Sequence, residues 1–154
     1  KYFSSCYPQA DYQILYPNVQ TVDLQQLGKL AGWHHKSPFM VGINSAWGSW
    51  FAYRALVLSD TDFATETLSI PTVTNVSPCV SCSIQPCINE CPVDALSGGE
   101  LNLGLCMDYR QRVDSKCRTT CLAREACPVA TDQRYSQEQI QYHYVRSLEM
   151  IKRG

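Results

Sequence analysis

The sequence lacks a dominant charge, an uninterrupted apolar run and the short motifs of several enzyme classes. Its 13 Lys and Arg residues balance 14 Asp and Glu residues, for a formal net charge of -1. Without a basic surface, nucleic acid is not an expected partner. The most apolar stretch, residues 39–58, contains Asn44, Ser45, Ser49 and Arg54 and is too interrupted for a membrane span. No signal peptide, Gly-rich phosphate loop or Ser–His–Asp arrangement is evident.

Cysteine is nearly missing from the first half of the chain. Cys6 stands alone there, and the other eight of the nine cysteines lie between Cys79 and Cys127. A secreted disulfide scaffold is usually smaller and spreads its cysteines along the chain. The clustered cysteines therefore favour metal ligands over disulfide staples, and Cys6 is predicted to be a buried free thiol. Because thiolate ligands must stay reduced to bind iron, we expect a cytoplasmic protein.

A helix is predicted after a start, residues 1–20, that reads as irregular or extended. Three leucines at intervals of three residues share one face of a helix over 22–31. Thr21 is the expected N-cap of this helix, and Gly32 is its expected C-terminal stop.

A β-hairpin is predicted next. Residues 39–43 and 50–58 are aromatic and β-branched runs, and the segment 44–49 between them is rich in turn residues. We expect two antiparallel strands, although periodicity alone also allows a short buried helix over the second run.

The C-terminal end predicts an amphipathic helix. Ser136 precedes it, and Gln139 follows three residues later, as in a capping box. Its apolar stripe consists of Ile140, Tyr144, Leu148 and Ile151. The predicted fold is α+β: a small helix and hairpin region over 1–75, a cysteine-rich core over 76–135 and a closing helix over 136–154. The length of 154 residues and the 45% apolar content suit one packed domain of this kind.

The cysteines form two groups with a single cysteine between them. The first group reads Cys79-x2-Cys82-x4-Cys87-x3-Cys91-Pro92, and the second reads Cys117-x3-Cys121-x5-Cys127-Pro128, with Cys106 in between. Groups of four thiolates suit zinc or iron–sulfur clusters. A structural zinc site takes four ligands, usually as two close pairs, and has no use for further thiols nearby.

The Cys-Pro pairs favour iron–sulfur clusters over zinc. In two-cluster ferredoxins the last cysteine of one run ligates the other cluster, and proline follows it. Applied here, that rule predicts two [4Fe–4S] clusters and leaves only Cys6 unused. The first set of ligands is Cys79, Cys82, Cys87 and Cys127, and the second set is Cys91, Cys106, Cys117 and Cys121. The core over 76–135 is thus predicted to be of the bacterial dicluster ferredoxin type. Structural zinc and disulfides remain alternatives.

Motifs spread from about Gly28 to Pro128 add a family likeness. They are Ala31-Gly32-Trp33, Lys36-Ser37-Pro38, Ile43 to Trp50, the run from Cys91 to Leu96, the run from Leu103 to Tyr109, and Cys127-Pro128. This series resembles the iron–sulfur half of epoxyqueuosine reductases and cobalamin-dependent reductive dehalogenases. It is closer still to short ferredoxin-like proteins that carry the same module without a cobalamin domain. In that family a lone cysteine before a Tyr-containing turn ligates the second cluster, and Cys106 matches that position.

The resemblance implies an electron carrier with a protein redox partner. Full reductases carry a cobalamin-binding region ahead of this module, and residues 1–30 are too short for one. The loops from Cys82 to Cys87 and from Cys121 to Cys127 are longer than those of the family. A fragment or subunit of a cobalamin-dependent reductase is the second hypothesis, and a structural zinc module is the third.

Five cations flank the second group of cysteines, and they carry no assigned role from the sequence alone. They are Arg110, Arg112, Lys116, Arg118 and Arg124. We expect most of them to form a solvated face balanced by Asp108, Asp114 and Glu125. A docking surface for an acidic redox partner and an influence on a cluster's potential are the alternative roles.

Overall fold

The computed structural model describes residues 2–18, 21–61 and 76–153, and its regular elements are short except at the C-terminal end. In chain order they are α1 (Tyr2–Cys6), β1 (Tyr12–Tyr16), α2 (Leu24–Leu30), β2 (Leu56–Ser59), α3 (Pro86–Asn89), α4 (Leu103–Gln111), α5 (Leu122–Glu125), a 3₁₀ turn (Thr131–Gln133) and α6 (Gln137–Arg153). Helices together with a two-stranded antiparallel sheet make this an α+β protein, as predicted.

The sheet is not the predicted hairpin. β2 pairs with β1, with Tyr12 opposite Ser59 and Tyr16 opposite Leu56. The first strand therefore comes from the stretch expected to be irregular or extended. The second predicted strand, over 50–58, is extended sheet only from Leu56 onward. The alternative prediction, a buried helix over 50–58, is also wrong.

The segment predicted as the other strand, residues 39–43, is a turn. Met40 has a φ of 62°, in the left-handed region, which interrupts extended backbone. The Ser37 hydroxyl donates a hydrogen bond to the Val41 carbonyl across this turn. A single bridge between His35 and Ile43 is the pairing that remains.

The prediction of α2 is confirmed apart from its first residues. The Asp23 side chain accepts a hydrogen bond from the Gln26 backbone N–H at 2.9 Å, so Asp23 rather than Thr21 is the N-cap. A carboxylate at this position also interacts favourably with the helix dipole. Gly32 has a φ of 74°, the left-handed conformation of a helix stop.

The hydrophobic core lies within and beside the cysteine-rich region. Phe39, Cys87, Leu96 and Ala123 form a buried cluster. Partly buried hydrophobic side chains pack against this cluster, and they are Val41, Ile88, Cys91, Leu101 and Cys121. Cysteines are thus part of the core rather than additions to its surface.

The C-terminal helix is confirmed. The Ser136 hydroxyl accepts a hydrogen bond from the Gln139 N–H at 3.3 Å, and Ile140 and Leu148 are buried. α6 packs against α4. None of the helices in the described ranges is long and apolar enough to cross a membrane.

The N-terminal region joins the core beside α5. The Arg124 guanidinium donates from Nε to the Ser49 hydroxyl at 3.2 Å and stacks over the Trp50 ring, 4.2 Å from its centroid. Gly48 adopts a φ of 56°, and a Cβ added there would lie 2.4 Å from the Val129 carbonyl oxygen. The chain after Cys127 therefore lies directly against the N-terminal region.

Candidate metal centre

The structure divides the eight clustered cysteines between two cavities. The first cavity, about 30 Å³, is lined by the first set, Cys79, Cys82, Cys87 and Cys127. The second cavity, about 180 Å³, is lined by the second set, Cys91, Cys106, Cys117 and Cys121. This is the same four-and-four grouping as that predicted from the Cys-Pro pairs, while the ligand role of each cysteine stays a prediction.

Local turns and helix ends position the first set. Cys79 is held by its N–H, which donates to the Ser77 hydroxyl at 3.3 Å, and the Cys82 N–H donates to the Cys79 carbonyl at 3.3 Å. Cys87 is buried in the first turn of α3, directly after Pro86. Cys127 is buried two residues beyond α5. Three cysteines from one loop thus meet one cysteine from far along the chain.

Different elements position the second set. Cys91 follows the end of α3, and Cys106 lies within α4. Cys117 is buried in the loop after α4, where its N–H donates to the Ser115 hydroxyl at 3.1 Å. Cys121 is the N-cap residue of α5. The cavity is closed on one side by Tyr144 of α6.

Two packed helices explain why the sets cross. α3 and α5 pack against each other. Cys87 lies in α3 and Cys91 beyond it, yet they line different cavities. Cys121 and Cys127 flank α5 in the same way, also on different cavities. Each short helix therefore carries one cysteine to each side of a shared wall, and Phe39 lines both cavities as part of that wall.

Burial raises the pKa of most of these thiols above the ordinary value. The pKa of Cys121 is raised to about 11, chiefly because its charged form loses solvation. Loss of solvation is also the main cause of raised pKa values for Cys79, Cys87, Cys106, Cys117 and Cys127. Such thiols are protonated at neutral pH unless a metal ion stabilises the thiolate.

Interactions between the cysteines stay within each set. Cys127 and Cys79 act on the pKa of Cys87, whereas Cys91 acts on the pKa of both Cys106 and Cys117. Backbone N–H groups oppose this shift and lower the pKa of two cysteines of each set. They are Ile88 for Cys87, Val129 for Cys127, Leu122 for Cys117 and Arg124 for Cys121.

Arg110 is the residue in the second cavity that sequence reasoning did not single out. Its side chain lines the cavity and is 7% exposed. Arg112 and Lys116 are exposed, whereas Arg118 is half-buried and Arg124 joins the two regions, so the solvated face expected of most of the five cations is wrong. Arg110 lies four residues after Cys106, one helical turn away on the same face of α4, and that spacing is the signal that could have found it.

The prediction for Cys6 and the disulfide alternative can be compared with the structure, and His34 lies outside both cavities. Cys6 is exposed at the end of α1 rather than buried, because this five-residue helix leaves its last residue open to solvent. None of the nine cysteines is joined in a disulfide, which removes the disulfide alternative for this structure. His34 is buried and stacks on Tyr53 with 6.2 Å between ring centroids, so it packs within the N-terminal region.

No group of three His, Cys, Asp or Glu side chains within residues 2–18, 21–61 and 76–153 is arranged to hold a single metal ion. Each set of cysteines therefore borders a space without converging on one point.

Comparison of the chain with protein-family models, with curated proteins and with solved structures gave no match. The two cavities and the cysteine sulfur atoms that line them are therefore the features that indicate a function.

Proposed function

We propose that this protein transfers single electrons through two [4Fe–4S] clusters, one held by each set of cysteines. The observation that carries the proposal is the division of eight cysteines into two cavities across the α3–α5 wall. Four thiolates are the usual ligand set of one [4Fe–4S] cluster. Two clusters account for all eight of these cysteines and leave Cys6, which lies exposed and apart.

The donor chemistry fits the group at both cavities. All four donors of each set are soft sulfur atoms, which iron–sulfur clusters prefer. In each set, backbone N–H groups lower the pKa of two cysteines. Hydrogen bonds to the sulfurs, burial and nearby charge are the means by which a protein sets a cluster's potential.

The room available differs between the cavities. The second cavity, at about 180 Å³, has space for several atoms beyond a water molecule. The first, at about 30 Å³, accommodates little more than one water molecule. A cluster in the first cavity therefore requires the loop over 79–85 to lie farther out. Val80 and Ile84 in that loop are 80% and 77% exposed, so core packing does not hold them in place.

In this function the chain holds the two clusters, buries them away from water and keeps them close to each other. The cysteines bind, the apolar wall around Phe39 and Leu96 excludes water, and the shared helices α3 and α5 keep the two cavities adjacent. A bound cluster supplies a one-electron couple that needs no proton transfer. The electron enters from and leaves to a redox partner protein, and we place this exchange in the cytoplasm.

A structural zinc module is less well supported. Zinc needs four ligands at about 2.0–2.3 Å around one point. No three potential ligands in the described residues are arranged in that way. A subunit of a cobalamin-dependent reductase would use the same two clusters, and it would differ by retaining cobalamin on purification.

The test is the content of iron, acid-labile sulfide, zinc and cobalamin in protein purified without oxygen. We expect about eight iron and about eight sulfide per chain, without zinc or cobalamin. A Cys6→Ser variant is the matched control and should keep the same content. Stoichiometric zinc without sulfide would contradict the proposal, and retained cobalamin would identify the reductase alternative. About four iron per chain would show that only one of the two sets of cysteines holds a cluster, and would contradict the assignment of the other set.

A further inference from the structure

The second cavity contains a buried cation that hydrogen-bonds to uncharged groups. Arg110 donates from Nε to the Cys117 carbonyl at 3.2 Å and from Nη1 to the Ser147 hydroxyl at 3.1 Å. Its Nη2 donates to the Tyr144 carbonyl at 2.8 Å, and the guanidinium lies 5.1 Å from the centroid of the Tyr144 ring. These contacts hold the planar group in one orientation but leave its charge without a counterion.

No carboxylate in the described residues forms an ion pair with Arg110. The ion pair found among those residues joins Lys36 to Glu100, and both of these side chains are exposed. A buried charge without a partner is costly, so a nearby negative group is expected. Arg110 lines the same cavity as Cys106 and Cys117, and its Nε is fixed on the Cys117 backbone. A negative group held in this cavity by the second set of cysteines would therefore lie next to the guanidinium and serve as its counter-charge.

Among the residues that the structure describes, the first cavity has no equivalent of Arg110. No Lys or Arg side chain of those residues lines it. Arg134 does not line it either: the Arg134 side chain lies beside the Trp50 ring, and its Nη2 donates to the Glu125 carbonyl at 2.6 Å. The two sets of cysteines therefore share donor chemistry but differ in the fixed charge placed against them.

We propose that Arg110 raises the reduction potential of the cluster held by the second set, and that it does so without a comparable effect on the first. This inference rests on the proposed function. Reduction at the second set takes one electron from the donor protein, adds one negative charge and moves no proton. A fixed cation inside a low-dielectric wall stabilises that added charge. Arg110 thereby makes reduction of the cluster held by the second set more favourable than it would be without this cation.

The test is a potentiometric titration of both clusters, followed by electron paramagnetic resonance, in the whole protein. The iron and sulfide content of the unmodified protein is measured first, so that failure of the proposed function is seen separately. A Cys127→Ala variant, expected to lose the first cluster, assigns the two signals. The informative variants are Arg110→Gln, which removes the charge, and Ser147→Asp, which places a carboxylate against the guanidinium and cancels its field.

In both variants we expect the ratio of reduced to oxidised second cluster to fall at least tenfold at the unmodified protein's midpoint, a shift of 59 mV for a one-electron couple. The first cluster should keep its midpoint. Arg110→Lys and Ser147→Ala retain a cation and should stay close to the unmodified value. Arg112→Gln removes an exposed cation of the same helix end and is the matched control.

Three results would overturn the inference. One is an unchanged second midpoint in both informative variants, and another is an equal shift of both clusters. The third is loss of the second cluster from Arg110→Gln, Arg110→Lys and Ser147→Asp alike, which would make Arg110 a purely structural residue.

Discussion

The two sets of cysteines are alike in their donor atoms and different in almost everything around them. The first lies against an exposed loop and borders little free space, whereas the second is enclosed by α4, α5 and α6 around a larger cavity. Of the Lys and Arg side chains in the described part of the chain, the buried Arg110 lines the second cavity and none lines the first. Ligand chemistry therefore decides what kind of group each cavity can bind. The surrounding wall decides how tightly the group is enclosed and which charge state is favoured.

Two four-residue helices suffice to distribute the cysteines between the two cavities. Each of α3 and α5 is four residues long and is flanked or occupied by one cysteine of each set. The wall between the cavities is consequently made of the cysteine-bearing helices themselves, with Phe39 packed against them. A substitution in the wall should therefore weaken cluster binding by both sets, while a substitution that touches only one set should weaken binding by that set alone.

The largest expected effect comes from removing one ligand of each set. Cys127→Ala should abolish the cluster shared with Cys79, Cys82 and Cys87, because three cysteines leave one iron without its protein ligand. Cys117→Ala should abolish the other cluster. Each variant should lose about half of its iron and sulfide and a different resonance signal. If both variants lost the same signal, the crossed assignment of Cys91 and Cys127 would be wrong.

Phe39 tests whether the shared wall supports both sets. Phe39→Ala removes a buried ring that lines both cavities, and a change of this kind costs about 3–5 kcal/mol of stability. We expect a lower midpoint of denaturation and faster release of iron from both clusters. Phe39→Leu keeps most of the volume and is the matched control. Release from one cluster alone would show that the ring serves a single site.

Gly48 offers a smaller change directed at the first set. An alanine there would occupy the left-handed region and place its Cβ 2.4 Å from the Val129 carbonyl oxygen, two residues after Cys127. Strain of this kind costs about 1–3 kcal/mol. The free energy of unfolding should fall by that amount, and iron should be lost preferentially from the first cluster. Gly98→Ala meets no atom within 4 Å and should change neither measurement. A preferential loss from the second cluster would contradict this placement.

Local signals were the part of the fold that sequence could predict. The Ser136–Gln139 cap and the apolar stripe of α6 are confirmed, as are α2 and its stop at Gly32. The hairpin was wrong because the partner of a strand is chosen by long-range packing. Residues 50–58 have strand propensity, but nothing within them indicates that Tyr12–Tyr16 is the partner. The left-handed φ of Met40 was also missed, because residues 39–43 have strand propensity and the local hydrogen bond from Ser37 to Val41 has no distinctive sequence signal.

The sequence by itself determined the supply of candidate ligands: eight cysteines at spacings whose two Cys-Pro pairs predict two sets of four. That information is local, because thiolate softness and proline's fixed φ do not depend on the rest of the fold. Only the tertiary structure decided that α3 and α5 form the wall between the sets. The four-residue spacing between Cys106 and Arg110 indicates a shared helix face, but only the tertiary structure shows that Arg110 is buried in the second cavity. A charge acquires its influence from burial and from the groups that face it, and neither is written in the order of residues.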